Sequence, residues 1–374
     1  MRLLISAGGT GGGVFPALAV AKAWHELGDW RMNETAYLRS PILWLGSRDG
    51  LEAELVPREG LPFRAIHAAG VHGVGWRRLP GNALSLVRGF FESLGIVREF
   101  RPAALLVTGG FLAAPAALAC RLSGVPVVCY VPDLEPGLAL KAVSRLAARI
   151  CVTAEPSRRY FDPRKVVVTG YPVRPELTQA TRAQAIAHFG LDPARKTILV
   201  TGGSRGARSL NRATFAALAE WLQEYQVIHL SGKPDWAEAE VARARLAPDL
   251  RAHYHAFPFL HEMGWALAAA DIVVSRAGAS TLGEYPLFGL PAVLVPYPYS
   301  WRYQKVNADY LVERGAAVKI NDEDLSAQLT PMVRALLGDE ARLSAMRAAA
   351  RSAAQPEAAR RIAQEILAVA HRTA

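Results

Sequence analysis

Cysteine is scarce in this chain of 374 residues, and its three cysteines form no recognisable metal-binding motif. Cys120, Cys129 and Cys151 lack the paired spacing of a metal site, and each lies in or beside an apolar segment. This usage is typical of a cytosolic protein whose thiols are buried and free.

Long uncharged apolar runs are also missing, although hydrophobic residues make up 51% of the chain. No segment reaches the roughly 18 apolar residues that a membrane-spanning helix needs. The N-terminus has one arginine followed by a short apolar run and glycines, without the longer apolar region and cleavage site of a signal peptide. We therefore expect neither a membrane span nor a signal peptide.

Acidic residues are outnumbered, since 43 Lys and Arg against 33 Asp and Glu give a net charge of +10. Such an excess indicates an anionic partner: a nucleic acid, a phosphorylated ligand or an acidic membrane surface. The sequence has neither the paired metal ligands nor the ribonucleoprotein aromatics of common nucleic-acid modules. Phosphate ligands and a membrane surface are therefore favoured, and no nucleic-acid partner is expected.

The chain contains two serial sets of alternating apolar strands and helices. The first opens with residues 2–7, then glycines at 8, 9 and 11–13, and we expect Pro16 in the first turn of the following helix. The pattern restarts at residues 196–201, again followed by glycines. This order predicts an α/β protein with two Rossmann-like domains, whose parallel sheets face a cleft.

The glycine-rich segments are candidate ligand loops. The first is either a ligand-binding loop or a tight structural turn, because Val14 occupies the third glycine position of the dinucleotide fingerprint. In the second half, residues 202–208 and 275–284 offer backbone N–H groups, hydroxyls and arginines suited to a diphosphate. Glu284 could accept the hydroxyls of a ribose, or only provide a favourable charge near a helix N-terminus. Gln304 and Asn307 are spaced to share a helix face and to bind sugar hydroxyls.

A segment near residues 76–100 combines aromatic, aliphatic and basic side chains, and a helix is expected from about Ala83 to Phe100. This composition suits a helix that lies on a membrane surface, but also an amphipathic core helix with arginines on its wet side. The candidate membrane contacts are Trp76, Arg77, Arg78, Arg88, Phe90 and Phe91.

These stretches together resemble the MurG family over nearly the whole chain. The resemblance is carried by motifs in both halves: residues 8–12 and 14–20, Thr108-Gly109-Gly110, Pro136-Gly137-Leu138, Gly170 with Pro172-Val173-Arg174, Gly202-Gly203-Ser204, Gly206-Ala207-Arg208, Leu210-Asn211, Arg276, Gly278-Ala279, Thr281, Glu284, Gly289-Leu290-Pro291, Gln304 and Asn307-Ala308. It implies the two-domain GT-B fold and an inverting transfer of N-acetylglucosamine (GlcNAc) from UDP-GlcNAc to lipid I, which gives lipid II for peptidoglycan synthesis. It implies no cofactor and no bound metal.

The resemblance also implies site residues and a location. Glu284 would bind the ribose, Gln304 and Asn307 the GlcNAc, and Leu260 marks where a main-chain group contacts uracil. The remaining donor contacts would be Thr10, Gly11, Gly12, Arg174, Ser204, Ala279 and Thr281. Together with the basic excess, it places the protein on the anionic cytoplasmic face of the cell membrane as a peripheral protein.

The departures from the family pattern lie mainly on the acceptor side. Position 13 is Gly where the family usually has a histidine that is a proposed base. We therefore predict Asp133 as the base, with Glu135 and His72 as second choices, while a turn or helix-capping role for Asp133 stays open. Two other activities stay open as well: transfer to another lipid, or UDP-GlcNAc 2-epimerisation on the same fold.

The predicted domains are an acceptor-binding, membrane-associated domain at residues 1–170 and a donor-binding domain at residues 171–353. A C-terminal helix, about residues 354–374, is expected to pack back on the first domain.

Overall fold

The computed structural model describes residues 1–8, 11–27, 40–68, 79–203, 206–299 and 303–373. The chain divides into two compact units, the first formed by Met1–Arg174 with Pro356–Ala374 and the second by Pro175–Gln355. Within the described ranges, each unit is built on one parallel sheet with helices on its faces. Each unit therefore has the Rossmann-like architecture that is expected for the two domains of a GT-B fold.

The first unit has a seven-stranded sheet in the order β3-β2-β1-β4-β5-β6-β7. Its strands are β1 (Leu3–Ser6), β2 (Ile42–Gly46), β3 (Phe63–Ala65), β4 (Ala104–Val107), β5 (Val127–Val131), β6 (Arg149–Val152) and β7 (Val166–Val168). Its helices are α1 (Gly11–Leu27), α2 (Glu52–Arg58), α3 (Leu79–Phe100), α4 (Ala113–Leu122), α5 (Leu138–Ser144) and α15 (Ala358–Thr373).

The second unit has a six-stranded sheet in the order β10-β9-β8-β11-β12-β13. Its strands are β8 (Thr197–Thr201), β9 (Gln226–Leu230), β10 (Tyr254–Phe257), β11 (Ile272–Ser275), β12 (Ala292–Leu294) and β13 (Ala317–Lys319). Its helices are α6 (Arg182–Phe189), α7 (Arg208–Glu224), α8 (Trp236–Ala244), α9 (Pro248–Arg251), α10 (Met263–Ala269), α11 (Glu284–Phe288), α12 (Tyr303–Glu313), α13 (Leu325–Leu337) and α14 (Glu340–Ser352).

Both faces of the first sheet are buried, as parallel strands with helical crossovers require. Alternate residues of β1 point to opposite faces: Leu3 and Ile5 join the core formed with α1 and α15, and Leu4 joins the core formed with α3, α4 and α5. Helix α15 packs along α1 through fully buried residues that include Ile362 and Ile366. The C-terminal helix is therefore part of the first unit.

Two local expectations differ from the structure. Helix α1 begins at Gly11, so Pro16 lies in its second turn and not in the first. The prolyl nitrogen carries no proton, so the intrahelical bond that its N–H would make to the carbonyl four residues earlier is lost. Helix α3 begins at Leu79, earlier than the predicted start near Ala83.

The three cysteines are free and buried, as predicted. Burial raises the pKa of the Cys120 and Cys129 thiols to about 12. The thiols therefore stay protonated at neutral pH and serve as small apolar groups in the core.

Candidate functional site

In the first unit, the sheet reverses its strand order between β1 and β4. Ligands of open parallel sheets bind outside the carboxyl ends of the strands at such a switch point. The first glycine-rich loop follows β1, and Gly109 and Gly110 follow β4. The predicted ligand loop of this half and the glycines after β4 therefore meet at the edge where ligands bind.

These two loops are in direct contact. The Thr108 hydroxyl donates a hydrogen bond of 2.8 Å to the carbonyl oxygen of Gly13. Gly110 has φ +85° and lies so close to the Gly8 carbonyl that a Cβ there would be 3.1 Å from its oxygen. At Gly13, by contrast, a Cβ would be 3.4 Å from the Thr108 hydroxyl oxygen, which is an ordinary contact. Steric contacts at the Cβ position therefore do not require glycine at position 13.

The turn between β5 and α5 carries the predicted base. Asp133 and Glu135 are both half-buried. The backbone on either side of Asp133 is anchored, since Thr153 Oγ1 donates to the Pro132 carbonyl (2.8 Å) and Ser157 Oγ donates to the Leu134 carbonyl (2.9 Å). The turn that carries Asp133 is thereby anchored at the carboxyl edge of the sheet.

The carboxyl group of Asp133 also affects the neighbouring Tyr130. Its pKa is raised well above the usual value, mainly by complete burial and further by the charge of Asp133. Its hydroxyl pairs with Thr153 Oγ1 at 2.9 Å. Tyr130 is therefore a buried neutral support of this turn.

In the second unit, the switch point lies between β8 and β11 and is again lined by glycine loops. Gly203 and Gly206 have φ +78° and +72°, and a Cβ on Gly206 would be 2.6 Å from the Ser231 carbonyl oxygen. Helix α7 begins at Arg208, so this loop separates the strand end from the helix start. The backbone at Gly206 therefore packs directly against the loop that follows β9.

A buried arginine ties the elements of this edge together. Arg276 donates to Asp322 Oδ1 (2.5 Å), to Ser209 Oγ (2.7 Å) and to the Val295 carbonyl (3.2 Å). It therefore links the end of β11 to the first turn of α7 and to the segments after β12 and β13. Arg276 is engaged within the protein, which makes it a support of the edge and distinguishes it from an exposed diphosphate-binding cation.

The segment after β11 differs from the single helix start that the sequence indicates. Ala279–Leu282 forms one 3₁₀ turn, and Gly283 separates it from the short helix α11. Thr281 donates to the Gly278 carbonyl at 2.7 Å and is buried, like Ala279, whereas Glu284 is half-buried. Ala279 and Thr281 therefore lie on the 3₁₀ turn, and Glu284 is the first residue of the helix that follows it.

The predicted sugar ligands lie on the next segment along this edge. Asn307 is fully buried and donates to the Ala277 carbonyl at 3.2 Å. Gln304 accepts a bond of 2.9 Å from the Tyr297 N–H. Both amides are on helix α12, as predicted, and Asn307 holds this helix against the loop after β11.

The remaining described candidates are more scattered. Leu260 is half-buried in the segment between β10 and α10. Arg174 is the last residue of the first unit before the chain enters the second, and its guanidinium stacks on the Phe15 ring at 4.4 Å. Gly11 and Gly12 form the first turn of α1. Several candidates lie outside the described residues: Thr10, His72, Trp76, Arg77, Arg78 and Ser204.

Comparison with known proteins identifies the family. The models of the glycosyltransferase family 28 N-terminal and C-terminal domains match residues 3–152 and 197–366. The chain belongs to glycosyltransferase family 28. The earlier resemblance to the MurG family is confirmed by full-length relatives.

Two relatives and one more distant structure show the range of similarity. A UDP-N-acetylglucosamine--N-acetylmuramyl-(pentapeptide) pyrophosphoryl-undecaprenol N-acetylglucosamine transferase from Roseiflexus sp. (strain RS-1) is 41% identical, covering 97% of this chain and 94% of the relative. The crystal structure of MurG from Acinetobacter baumannii has a TM-score of 0.73 at 25% identity, covering 98% of this chain and 100% of that one. A putative UDP-N-acetylglucosamine 2-epimerase from Listeria monocytogenes (TM-score 0.67, 15% identity, 96% and 94% covered) shares the fold alone.

One polar network in this family 28 chain was not predicted from the sequence. Asn211 of α7 donates to the Ser231 carbonyl (2.7 Å) and to Asp235 Oδ2 (2.8 Å), and its Oδ1 lies 3.0 Å from His229 Nε2. Because the Asn211 oxygen is an acceptor, His229 Nε2 carries the proton. His229 Nδ1 therefore accepts from the Tyr254 hydroxyl at 2.8 Å. The spacing of residues along the sequence does not predict these hydrogen bonds, since the partners come from two strands, a helix and a loop.

The charge state of His229 follows from its position. Complete burial lowers the pKa of this histidine from 6.5 to about 3, so it is neutral at neutral pH. The unfolded chain binds this proton near pH 6.5, and the folded protein does not until about pH 3. Falling pH therefore favours the unfolded state across that interval.

We expect the unfolding free energy to fall as pH drops from 6.5 towards 3, with His229 contributing about 1.4 kcal/mol per pH unit. The His229→Gln variant should show a shallower slope, because glutamine keeps an N–H donor but does not titrate. Urea unfolding of the second unit, followed by circular dichroism at several pH values, measures the slope. The control is His261→Gln, which replaces an exposed histidine. Equal slopes in wild type and His229→Gln would contradict the assignment of this pH dependence to His229.

Proposed function

We propose that the protein transfers GlcNAc from UDP-GlcNAc, with inversion, to the 4-hydroxyl of N-acetylmuramic acid in lipid I, which gives lipid II for peptidoglycan synthesis. One observation carries the proposal: the similarity to relatives named for this transfer extends over nearly the whole chain. The glycine loops at both switch points support it, since a transferase needs one edge for each substrate.

The second unit binds the donor in this proposal. Glu284 accepts the ribose hydroxyls, the backbone near Leu260 contacts uracil, and Asn307 with Gln304 binds the GlcNAc. The diphosphate is bound by Ser204, Ala279 and Thr281, with Arg174, Thr10, Gly11 and Gly12 as contacts from the first unit. Backbone N–H groups and cations that face the departing UDP stabilise the charge that develops in the transition state, an effect usually worth several kcal/mol.

The first unit binds the acceptor. Asp133 takes the proton from the attacking hydroxyl, which then displaces UDP from the opposite face of the anomeric carbon. The anchored carbonyls on either side of Asp133 support this role, because a base must be held within hydrogen-bond reach of its proton. Glu135 and His72 are the second choices.

The proposal is tested with purified protein, UDP-GlcNAc and lipid I. We expect lipid II and UDP in equal amounts. Formation of UDP-N-acetylmannosamine in place of lipid II would indicate epimerisation. Release of free GlcNAc alone, or transfer to a different polyprenyl acceptor, would reject lipid I as the acceptor.

We expect Asp133→Ala and Asp133→Asn to lower turnover at least a hundredfold, because both remove the proton acceptor. Binding of UDP-GlcNAc, measured by calorimetry, should stay unchanged. Glu135→Gln is the matched control on the same turn and should retain turnover. Normal turnover in the Asp133 variants would show that Asp133 has only a structural role in the turn. A loss of turnover in Glu135→Gln or His72→Gln would instead identify that residue as the base.

We further propose that the first unit docks on the anionic cytoplasmic face of the cell membrane. Helix α3 exposes an apolar stripe, with Leu84 69%, Val87 52% and Phe91 64% exposed. The neighbouring helix α4 adds exposed Leu118 and Leu122. Exposed apolar residues on adjacent helices are a pattern typical of a docking surface.

Cations accompany this stripe. Arg88 is 64% exposed and pairs with Glu92 at 3.1 Å, and Arg121 is exposed on α4. Phe90 packs partly against the core, so Phe91 is the better candidate for lipid contact. Within the described part of the chain, no helix is long and apolar enough to span a bilayer.

We expect Leu84→Asn/Val87→Asn/Phe91→Asn to lower binding to anionic phospholipid vesicles at least tenfold in co-sedimentation. Reversing the charges of Arg77, Arg78 and Arg88 together should also weaken binding, since each cation near such a surface contributes about 1 kcal/mol. The control, Val241→Asn/Val312→Asn, changes exposed apolar residues of the second unit. Unchanged vesicle binding in both variants of the first unit would rule out docking through α3.

A further inference from the structure

Glu52 is a charged residue with no exposed surface, located at the ligand-binding edge of the first sheet. It is the first residue of α2, which follows β2, the strand beside β1. Its Oε1 accepts hydrogen bonds from the Ser47 N–H (2.9 Å) and the Ser47 hydroxyl (2.7 Å). Burying a carboxyl group is costly unless its surroundings are built for it.

Three glycines form those surroundings. A Cβ on Gly8 would overlap the Glu52 carboxyl group and lie 2.7 Å from its Cδ, and a Cβ on Gly50 would overlap both carboxyl oxygens. A Cβ on Gly46 would be 2.6 Å from Glu52 Cγ. The Glu52 side chain therefore fills a slot that exists only because these three positions carry no side chain.

This slot lies against the start of the first glycine-rich loop. The same stretch of chain is held from two other sides: Trp44 Nε1 donates to the Ala7 carbonyl (2.9 Å), and Gly110 lies against the Gly8 carbonyl. Thr108 holds the far end of the loop at Gly13. With Glu52, the loop is supported from β2, from β4 and from α2.

We propose that Glu52 is a positioning residue for the acceptor substrate: its carboxyl group fixes Gly8 and thereby the shape in which the first glycine-rich loop meets the acceptor. The inference rests on the proposed function, because it takes the loop as part of the acceptor site. A loop whose ends at Gly8 and Gly13 are held in this way starts from a defined position, so less order must be imposed when the substrate binds. Removing the support should therefore weaken the reaction with the acceptor far more than binding of the donor, because most of the proposed donor contacts lie in the second unit.

The test compares Glu52→Ala and Glu52→Gln in the full-length protein. We expect Glu52→Ala to lower kcat/KM for lipid I at least thirtyfold, while the KM for UDP-GlcNAc and the Kd for UDP change less than fivefold, since only Thr10, Gly11 and Gly12 of this loop are proposed donor contacts. Glu52→Gln should stay within threefold of wild type, because the amide oxygen still accepts the two bonds from Ser47. The control is Phe100→Leu, which creates a cavity in the same unit at the opposite end of the sheet.

A double-substitution cycle with Gly8 provides the sharper measurement. Gly8→Ala alone should lower kcat/KM for lipid I, because its methyl group enters the space of the Glu52 carboxyl group. In the Glu52→Ala background the same change should cost nothing further, since the space is then free. Independent effects of the two substitutions, equal losses for donor and acceptor, or an equal loss in Phe100→Leu would each overturn the proposal.

Hydrogen exchange of the peptide spanning residues 3–18 separates this inference from the proposed function. Glu52→Ala should raise its exchange at least fivefold, and Phe100→Leu should not. If the wild type makes no lipid II, the proposed function fails, and the exchange result still decides whether Glu52 fixes the loop. Unchanged exchange in Glu52→Ala would reject the positioning role whatever the acceptor.

Discussion

The reversal of strand order beside β1 and beside β8 is the constraint on which the rest of the molecule depends. Neighbouring strands at these points send their connections to opposite faces of the sheet, which opens a crevice at the carboxyl edge. Backbone must then leave the sheet sharply on both sides of the crevice, and glycine allows the conformations and close approaches that this requires. Gly110 against the Gly8 carbonyl and Gly206 against the Ser231 carbonyl are two examples of the same solution.

The two edges are supported by different chemistry. In the second unit, Arg276 joins four segments through Asp322, Ser209 and the Val295 carbonyl, and the Asn211–His229–Tyr254 network joins α7 to β9 and β10. In the first unit, the Glu52 carboxyl group and the Thr108 hydroxyl hold the glycine-rich loop. The two edges therefore share a topology but differ in the polar groups that hold their loops: an arginine and an amide network in the second unit, a carboxyl group and a hydroxyl in the first.

The acceptor side is also where this chain departs from the MurG pattern. Gly13 leaves the usual place of an imidazole empty, although a Cβ would have only ordinary contacts there. The turn carrying Asp133 is anchored by Thr153 and Ser157, so a carboxyl group is held at the same edge of the sheet. Both observations are consistent with a catalytic base on the turn after β5, in place of the usual one on α1.

The fold class could be predicted from the sequence, because alternating apolar runs and the glycines between them are local signals that need no knowledge of contacts. The motifs that carry the family resemblance indicated Glu284, Gln304 and Asn307 as candidates, whereas Asp133 was predicted from its place after a strand of the first half. The three-dimensional structure was needed to show that Pro16 lies in the second turn of α1, that Gly283 interrupts the predicted helix start, and that Phe91 rather than Phe90 is exposed. It also decided the roles of Glu52, Arg276 and His229, because their partners lie on other strands and loops, and no local pattern specifies a buried polar contact between distant segments.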